Sequence, residues 1–175
     1  MGVRGGLVLI LALGVALTLV AADRKPTDLE AGEASVKYFE TFFKNFKDAE
    51  VRIYRIDKHL DANVAEWKTD EKHLSSWSIL EQKPVEAITV PSIRAALLDP
   101  ASYQRMGPMC FYPGMALSFK KDDVQINQII CLHCGWIYQY KGTERSFFAL
   151  TPAGAQALKN IYEQYFKTVP LDDGK

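Results

Sequence analysis

Three cysteines form the one constellation in this chain whose type and spacing could carry chemistry: Cys110, then Cys131 and Cys134 in the run Cys-Leu-His-Cys-Gly. A thiol triplet supports several kinds of site. A structural disulfide from Cys110 to Cys131 or Cys134 would close a loop and stabilise the fold by about 2–4 kcal/mol. A metal knuckle would draw three sulfur ligands for zinc from Cys131, Cys134 and Cys110. Its fourth ligand would have to be His133, whose ring lies inside the knuckle, or the distant His73 or His59. A thiol-redox couple would use Cys131 and Cys134, with Cys110 as the resolving thiol. Such couples favour a helix N-terminus, where the dipole supports the thiolate. Here Gly135-Trp136-Ile137-Tyr138 reads as a strand, so that support is missing. Haem attachment needs histidine after the second cysteine, and residue 135 is glycine. The thiols could also stay reduced and buried as small apolar side chains.

Other candidates for chemistry are weaker. Asp122-Asp123 and Asp70-Glu71 are adjacent carboxylates that a turn or strand alternation would splay apart, so neither makes an acid/base dyad. Ser75, Ser76 and Ser118 lack the Gly-x-Ser-x-Gly context of a nucleophile elbow. The glycines form no phosphate loop. Trp77, Trp136 and Tyr138 fall beside strands, where core or interface packing accounts for them.

The reading of the cysteines depends on compartment. Arg4, the apolar run Leu7 to Val20 and the small residues Val20-Ala21-Ala22 before Asp23-Arg24-Lys25 have the layout of a secretory signal peptide over residues 1–22. Left uncleaved, the uncharged stretch would instead be long enough for an N-terminal membrane anchor. Both readings place the single domain expected at 23–175 outside the cytoplasm, periplasmic or secreted, where disulfides persist. That favours the disulfide. The 175-residue chain is 48% apolar and 24% charged, the balance of an ordinary globular domain. Lys+Arg and Asp+Glu number 21 each, which gives no general attraction to nucleic acid.

The elements that must position the cysteines are an antiparallel meander and two amphipathic helices. A first helix is expected from Pro26-Thr27-Asp28 to about Lys47, with Val36, Phe39, Phe43 and Phe46 on one face. Strands are expected at Val51–Asp57, Trp77–Glu81 and Val85–Val90, with a short helix around Ala62–Trp67 and another over Pro91–Leu98. Ala101–Arg105 could add a turn, and Gly107-Pro108 breaks the chain before Cys110. A hairpin joins Gly135–Tyr140 to Arg145–Leu150 through Lys141-Gly142-Thr143. Thr151 and Pro152 then open a last helix that buries Leu158, Ile161, Tyr162, Tyr165 and Phe166 and ends before Pro170; the tail Leu171–Lys175 is expected to fray. The fold expected is α+β: an antiparallel sheet of about 5–7 strands with the N- and C-terminal helices packed on one face.

The cysteine hairpin can be read more closely. Met115, Leu117 and Phe119 alternate with small or polar residues, and Val124, Ile126 and Ile130 do the same on the return. A Lys121-Asp122 turn would pair Lys120 with Asp123, set Leu117 against Ile126, and carry Cys110 opposite His133. All three thiols would then meet at one end of the hairpin. Cys-Phe-Tyr-Pro-Gly-Met-Ala-Leu-Ser-Phe at 110–119 with Ile-Ile-Cys-Leu-His-Cys at 129–134, preceded by Leu97–Tyr103, resembles a set of exported bacterial proteins with a C-[FY]-x-P … C-x-x-C hairpin. The resemblance spans Ile93 to Cys134; no activity attaches to the set, so it implies no mechanism. The function expected is a non-catalytic binding or interaction domain stabilised by its cysteine cluster, with an unknown protein or small ligand as partner, no nucleic acid, no cofactor, and a membrane only if the leader is retained. The alternative is a periplasmic thiol-redox or zinc-knuckle-like protein using the Cys-x-x-Cys.

Overall fold

Helix α1 (Asp28–Asn45) begins where the sequence supplies a reciprocal cap: the Glu30 N–H donates to Thr27 Oγ1 at 3.3 Å, and the Glu30 carboxylate accepts from the Thr27 N–H. Its Phe39, Phe42 and Phe43 are buried. The computed structural model describes residues 27–61, 68–106 and 110–167. The expected leader at 1–22, the helix at 62–67, the Gly107-Pro108 break and the tail at 171–175 lie outside them.

The strands are β1 (Glu50–Leu60), β2 (His73–Leu74), β3 (Trp77–Pro84), β4 (Tyr103–Gln104), β5 (Met115–Lys121), β6 (Val124–Cys131), β7 (Trp136–Lys141) and β8 (Glu144–Leu150). They form one antiparallel sheet in the order β2-β3-β1-β5-β6-β7-β8-β4. Helices α2 (Val90–Leu98) and α3 (Pro152–Tyr165), with a 3-10 turn at Pro100–Ser102, are the remaining elements among the described residues.

The α+β antiparallel class is as expected, but several details differ. The sheet has eight strands, more than expected because β2 and β4 are two-residue strands, too short to show alternation. Val85–Val90 is not a strand: proline ends β3 at Pro84, and a turn leads directly into α2, whose cap is Thr89. The helical layer holds three helices, with α2 from mid-chain meeting both α1 and α3. The hairpin register is also shifted: Lys121 pairs with Val124, Phe119 with Ile126 and Met115 with Ile130, so the turn is Asp122-Asp123. Asp122 takes the left-handed conformation (φ 53°) that two-residue hairpin turns require. A two-residue slip keeps every side chain on its original face, because strand periodicity is two.

One face of the sheet carries the main core. Val51, Ile53, Leu117, Phe119, Ile126, Ile130, Ile137 and Leu150 pack with Phe39, Phe42 and Phe43 of α1, Ile93 and Leu97 of α2, and Leu158, Ile161 and Tyr162 of α3. Close approach of α3 to the 3-10 turn requires glycine at 154, where a Cβ would lie 2.5 Å from the Ser102 carbonyl oxygen. Burial pushes the Tyr162 phenol up to about 12, and that of Tyr103 higher still. The opposite face carries a smaller cluster of Tyr54, Ile56, Leu74, Trp77, Ala116, Ile129 and Tyr140. Bulges in the β1–β3 pairing, at Arg55/Ile56 and Ile56/Leu60, bend this end of the sheet. The β2–β3 turn reaches across the face, where Asn127 Nδ2 donates to Ser75 Oγ at 3.0 Å and to Thr69 Oγ1 at 3.2 Å.

Within the main core a polar pair is buried. Gln128 and Gln139 stand opposite each other on β6 and β7, Gln128 Nε2 donates to Gln139 Oε1 at 3.0 Å, and Gln139 Nε2 donates to the Tyr38 hydroxyl. Gln128 Oε1 has no hydrogen-bond partner among the described residues. Leucine at 128 alone should destabilise the domain by about 1–3 kcal/mol by stranding Gln139 Oε1, whereas leucine at both positions should restore or exceed wild-type stability. Urea midpoints of the two variants check this; a double variant no more stable than the single one would refute it.

Candidate functional site

The three cysteines meet where β6 turns into β7. Cys131 is the last residue of β6, and Cys134 and Gly135 close the turn before Trp136. Gly135 is required there: its φ is 68°, and a Cβ would lie 2.5 Å from the Leu150 carbonyl oxygen. Of the two bridges open to Cys110, the structure has Cys110–Cys134, with Cα atoms 6.1 Å apart. Cys131 remains a thiol, fully buried. It donates to Cys134 Sγ at 2.9 Å, and the Cys134 backbone N–H donates to Cys131 Sγ at 3.3 Å.

Cys110 reaches this position differently from the register reading. It does not pair with His133 as a continuation of β5; residues 110–114 form a strap without strand structure. The strap is held at one end by the disulfide and at the other by the Ile56 N–H, which donates to the Gly114 carbonyl at 3.2 Å. Between these points Phe111 packs on the smaller core, with ring centroids 5.7 Å from Trp77 and 4.2 Å from Tyr138. The disulfide therefore pins an aromatic lid to the sheet face that the helices leave uncovered.

The histidines occupy three different settings. His133 is exposed in the turn and lines a cavity of ≈290 Å³ with Cys134, Gln104, Thr151 and Lys159. His59 is exposed and stands edge-on to Tyr112. His73 is clasped between Asp70 Oδ1 at 3.0 Å and Asp61 Oδ2 at 3.4 Å. The Lys68 ammonium and the N–H groups of Lys72 and His73 hold the Asp70 carboxyl well below the usual carboxylate range. Among the described residues, no group of three or more His, Cys, Asp or Glu could hold a metal ion.

A second feature belongs to this site and was only partly legible. Beyond Phe111 the open face continues as an aromatic tract: Trp136 stacks with Tyr138 (6.4 Å, 15°) and faces Phe147 at 5.8 Å, while the Arg145 guanidinium lies 5.2 Å from the Tyr138 ring centroid. Burial raises the Tyr140 phenol, against Arg145, which draws it down. Phe147 is 63% exposed. β4 pairs only with Ala149 and Leu150 of β8, so the outer edge of Glu144–Phe148 has no strand partner among the described residues. Alternation within β8 would have placed Phe147 opposite to Phe148, but nothing in the sequence marked the strand as an edge.

Comparison of the chain with protein-family models, with curated proteins and with solved structures found no match. Among the described residues, fold and site define a disulfide-bridged α+β domain with its helices on one sheet face and, on the other, an aromatic tract that ends on a strand edge without a partner. No helix among the described residues is long and apolar enough to cross a membrane.

The bridge spans 24 residues in sequence, and closing a loop of that length restricts the unfolded chain by about 3 kcal/mol. Reducing it should lower stability by that amount and increase the solvent accessibility of Trp77 and Tyr138. Urea unfolding with and without reductant, followed by tryptophan fluorescence, would show this; coincident unfolding curves would rule it out.

Proposed function

We propose that this is an exported, non-catalytic binding domain that captures an extended polypeptide segment by strand addition to β8, with the neighbouring aromatic tract receiving the segment's apolar side chains. One observation carries the reading: the edge Glu144–Phe148, which has no strand partner among the described residues, lies beside Phe147, Trp136, Tyr138 and Arg145. Main-chain groups on an open edge give affinity to any extended chain, and side-chain pockets beside it give selectivity. Aromatic residues and arginine are the types that dominate binding energy in protein interfaces.

The two long edges of the sheet differ in the way this reading requires. The β3 edge carries Lys83 and Pro84, and Lys83 Nζ donates to the Tyr165 carbonyl. Proline and lysine are the usual guards against unwanted strand pairing. β8 carries neither. Export is supported by the leader-like layout of residues 1–22 and by a disulfide that an oxidising compartment would preserve.

The test is selection from a displayed library of random heptapeptides against the oxidised full chain. Selected peptides should carry apolar residues at alternate positions and broaden or shift the amide NMR signals of β8. Phe147→Ala and Trp136→Ala should each weaken binding at least tenfold, about 1.4 kcal/mol. Peptides that bind these variants as well as wild type, or a face that takes up only sugars in a parallel glycan screen, would overturn the proposal.

A further inference from the structure

The sulfur cluster holds more than a static bridge. Cys131 Sγ lies 2.9 Å from Cys134 Sγ, which is itself bonded to Cys110. The Cys131 thiol is fully buried, so it is not placed to meet a partner from solution. Its hydrogen-bond contacts are with Cys134, whose sulfur it approaches and whose backbone N–H it accepts. This is the arrangement of a nucleophile and a disulfide held within reach of each other, in a turn that Gly135 shapes. Cys110, by contrast, is partly exposed and sits on a strap with no strand pairing.

We infer that this domain carries an internal thiol–disulfide exchange site, at which Cys131 attacks Cys134 and delivers the free thiol to Cys110 at the surface. The step balances within the chain. The Cys131 thiol gives up its proton as its sulfur forms the Cys131–Cys134 bond, and that proton balances the one taken up by Cys110. The Cys134–Cys110 bond breaks, and Cys110 leaves as a thiolate that takes up a proton. One disulfide and one thiol are present before and after, so no oxidant or reductant is consumed. The chemical consequence is a change of address for the thiol, from a buried residue to one that an external disulfide or thiol-reactive compound can reach. Cys110 thereby becomes the site for a mixed disulfide. Because Phe111 follows Cys110 directly and packs on Tyr138 and Trp77, the same step releases the covalent hold on the aromatic lid.

This inference does not depend on the peptide-binding reading, and its test does not use a ligand. The oxidised full chain is incubated under native conditions with N-ethylmaleimide, then digested without reduction and mapped by mass spectrometry. Label should accumulate on Cys110, with a Cys131–Cys134 bridge appearing in equal proportion. A Cys131→Ser variant should keep the Cys110–Cys134 bridge and take no label natively. A Cys110→Ser variant treated with oxidised glutathione should form Cys131–Cys134, with two equivalents of reduced glutathione released. Label found on Cys131 with the Cys110–Cys134 bridge intact would show simple local opening and overturn the inference. So would wild-type protein that takes no label natively over a period in which the urea-unfolded chain labels fully.

Discussion

An eight-stranded antiparallel sheet has two faces to remove from water, and the helices among the described residues cover one of them. α1, α2 and α3 all contribute to the same apolar cluster, against Val51, Ile53, Leu117, Phe119, Ile130 and Ile137. Hydrophobic burial of this kind dominates the stability of small domains. It also commits every strand to an inside and an outside, because side chains alternate. The rest of the molecule answers the question of how the second face is covered.

Among the described residues, two devices cover part of it. The β1–β3 pairing is bulged, and Ser75 of the β2–β3 turn, with Thr69 from the loop before β2, accepts from Asn127 of β6. From the other side the strap at 110–114 lays Phe111 onto Trp77 and Tyr138, fixed by the Cys110–Cys134 bridge. A strap of five residues without strand pairing has little of its own to hold it, so a covalent pin has a clear physical purpose there. Both devices stop short of β8, and there half-buried Trp136 and exposed Phe147 lie beside an edge that has no strand partner among the described residues.

Much of this was legible because periodicity survives uncertainty in register. The alternation Met115-Leu117-Phe119 against Ile126-Ile130 identified the buried face, and a two-residue slip in pairing left that face unchanged. Capping chemistry placed the starts of α1 and α3 within a residue, since Thr27 and Thr151 each have a hydroxyl that accepts a backbone N–H of the first turn. What failed were features without local signal. Two-residue strands show no period, and Val85–Val90 has strand-like residues but follows a proline and leads into a helix cap. Gln128 interrupts an apolar face for no visible reason until Gln139 is found opposite it.

The sequence by itself determined the class of fold, the identity of the sheet's inner face, and the confluence of the cysteine-bearing segments near one turn, because these follow from side-chain periodicity, caps and spacing along a hairpin. Only the tertiary structure decided which bridge forms, since Cys110 arrives on a strap whose path depends on Phe111 finding the uncovered face and not on strand register. It alone decided that Cys131 is left as a buried thiol beside the bridge. It also decided that most of β8 is an edge among the described residues, because strand order is a long-range property: β4 is two residues long and pairs only with Ala149 and Leu150.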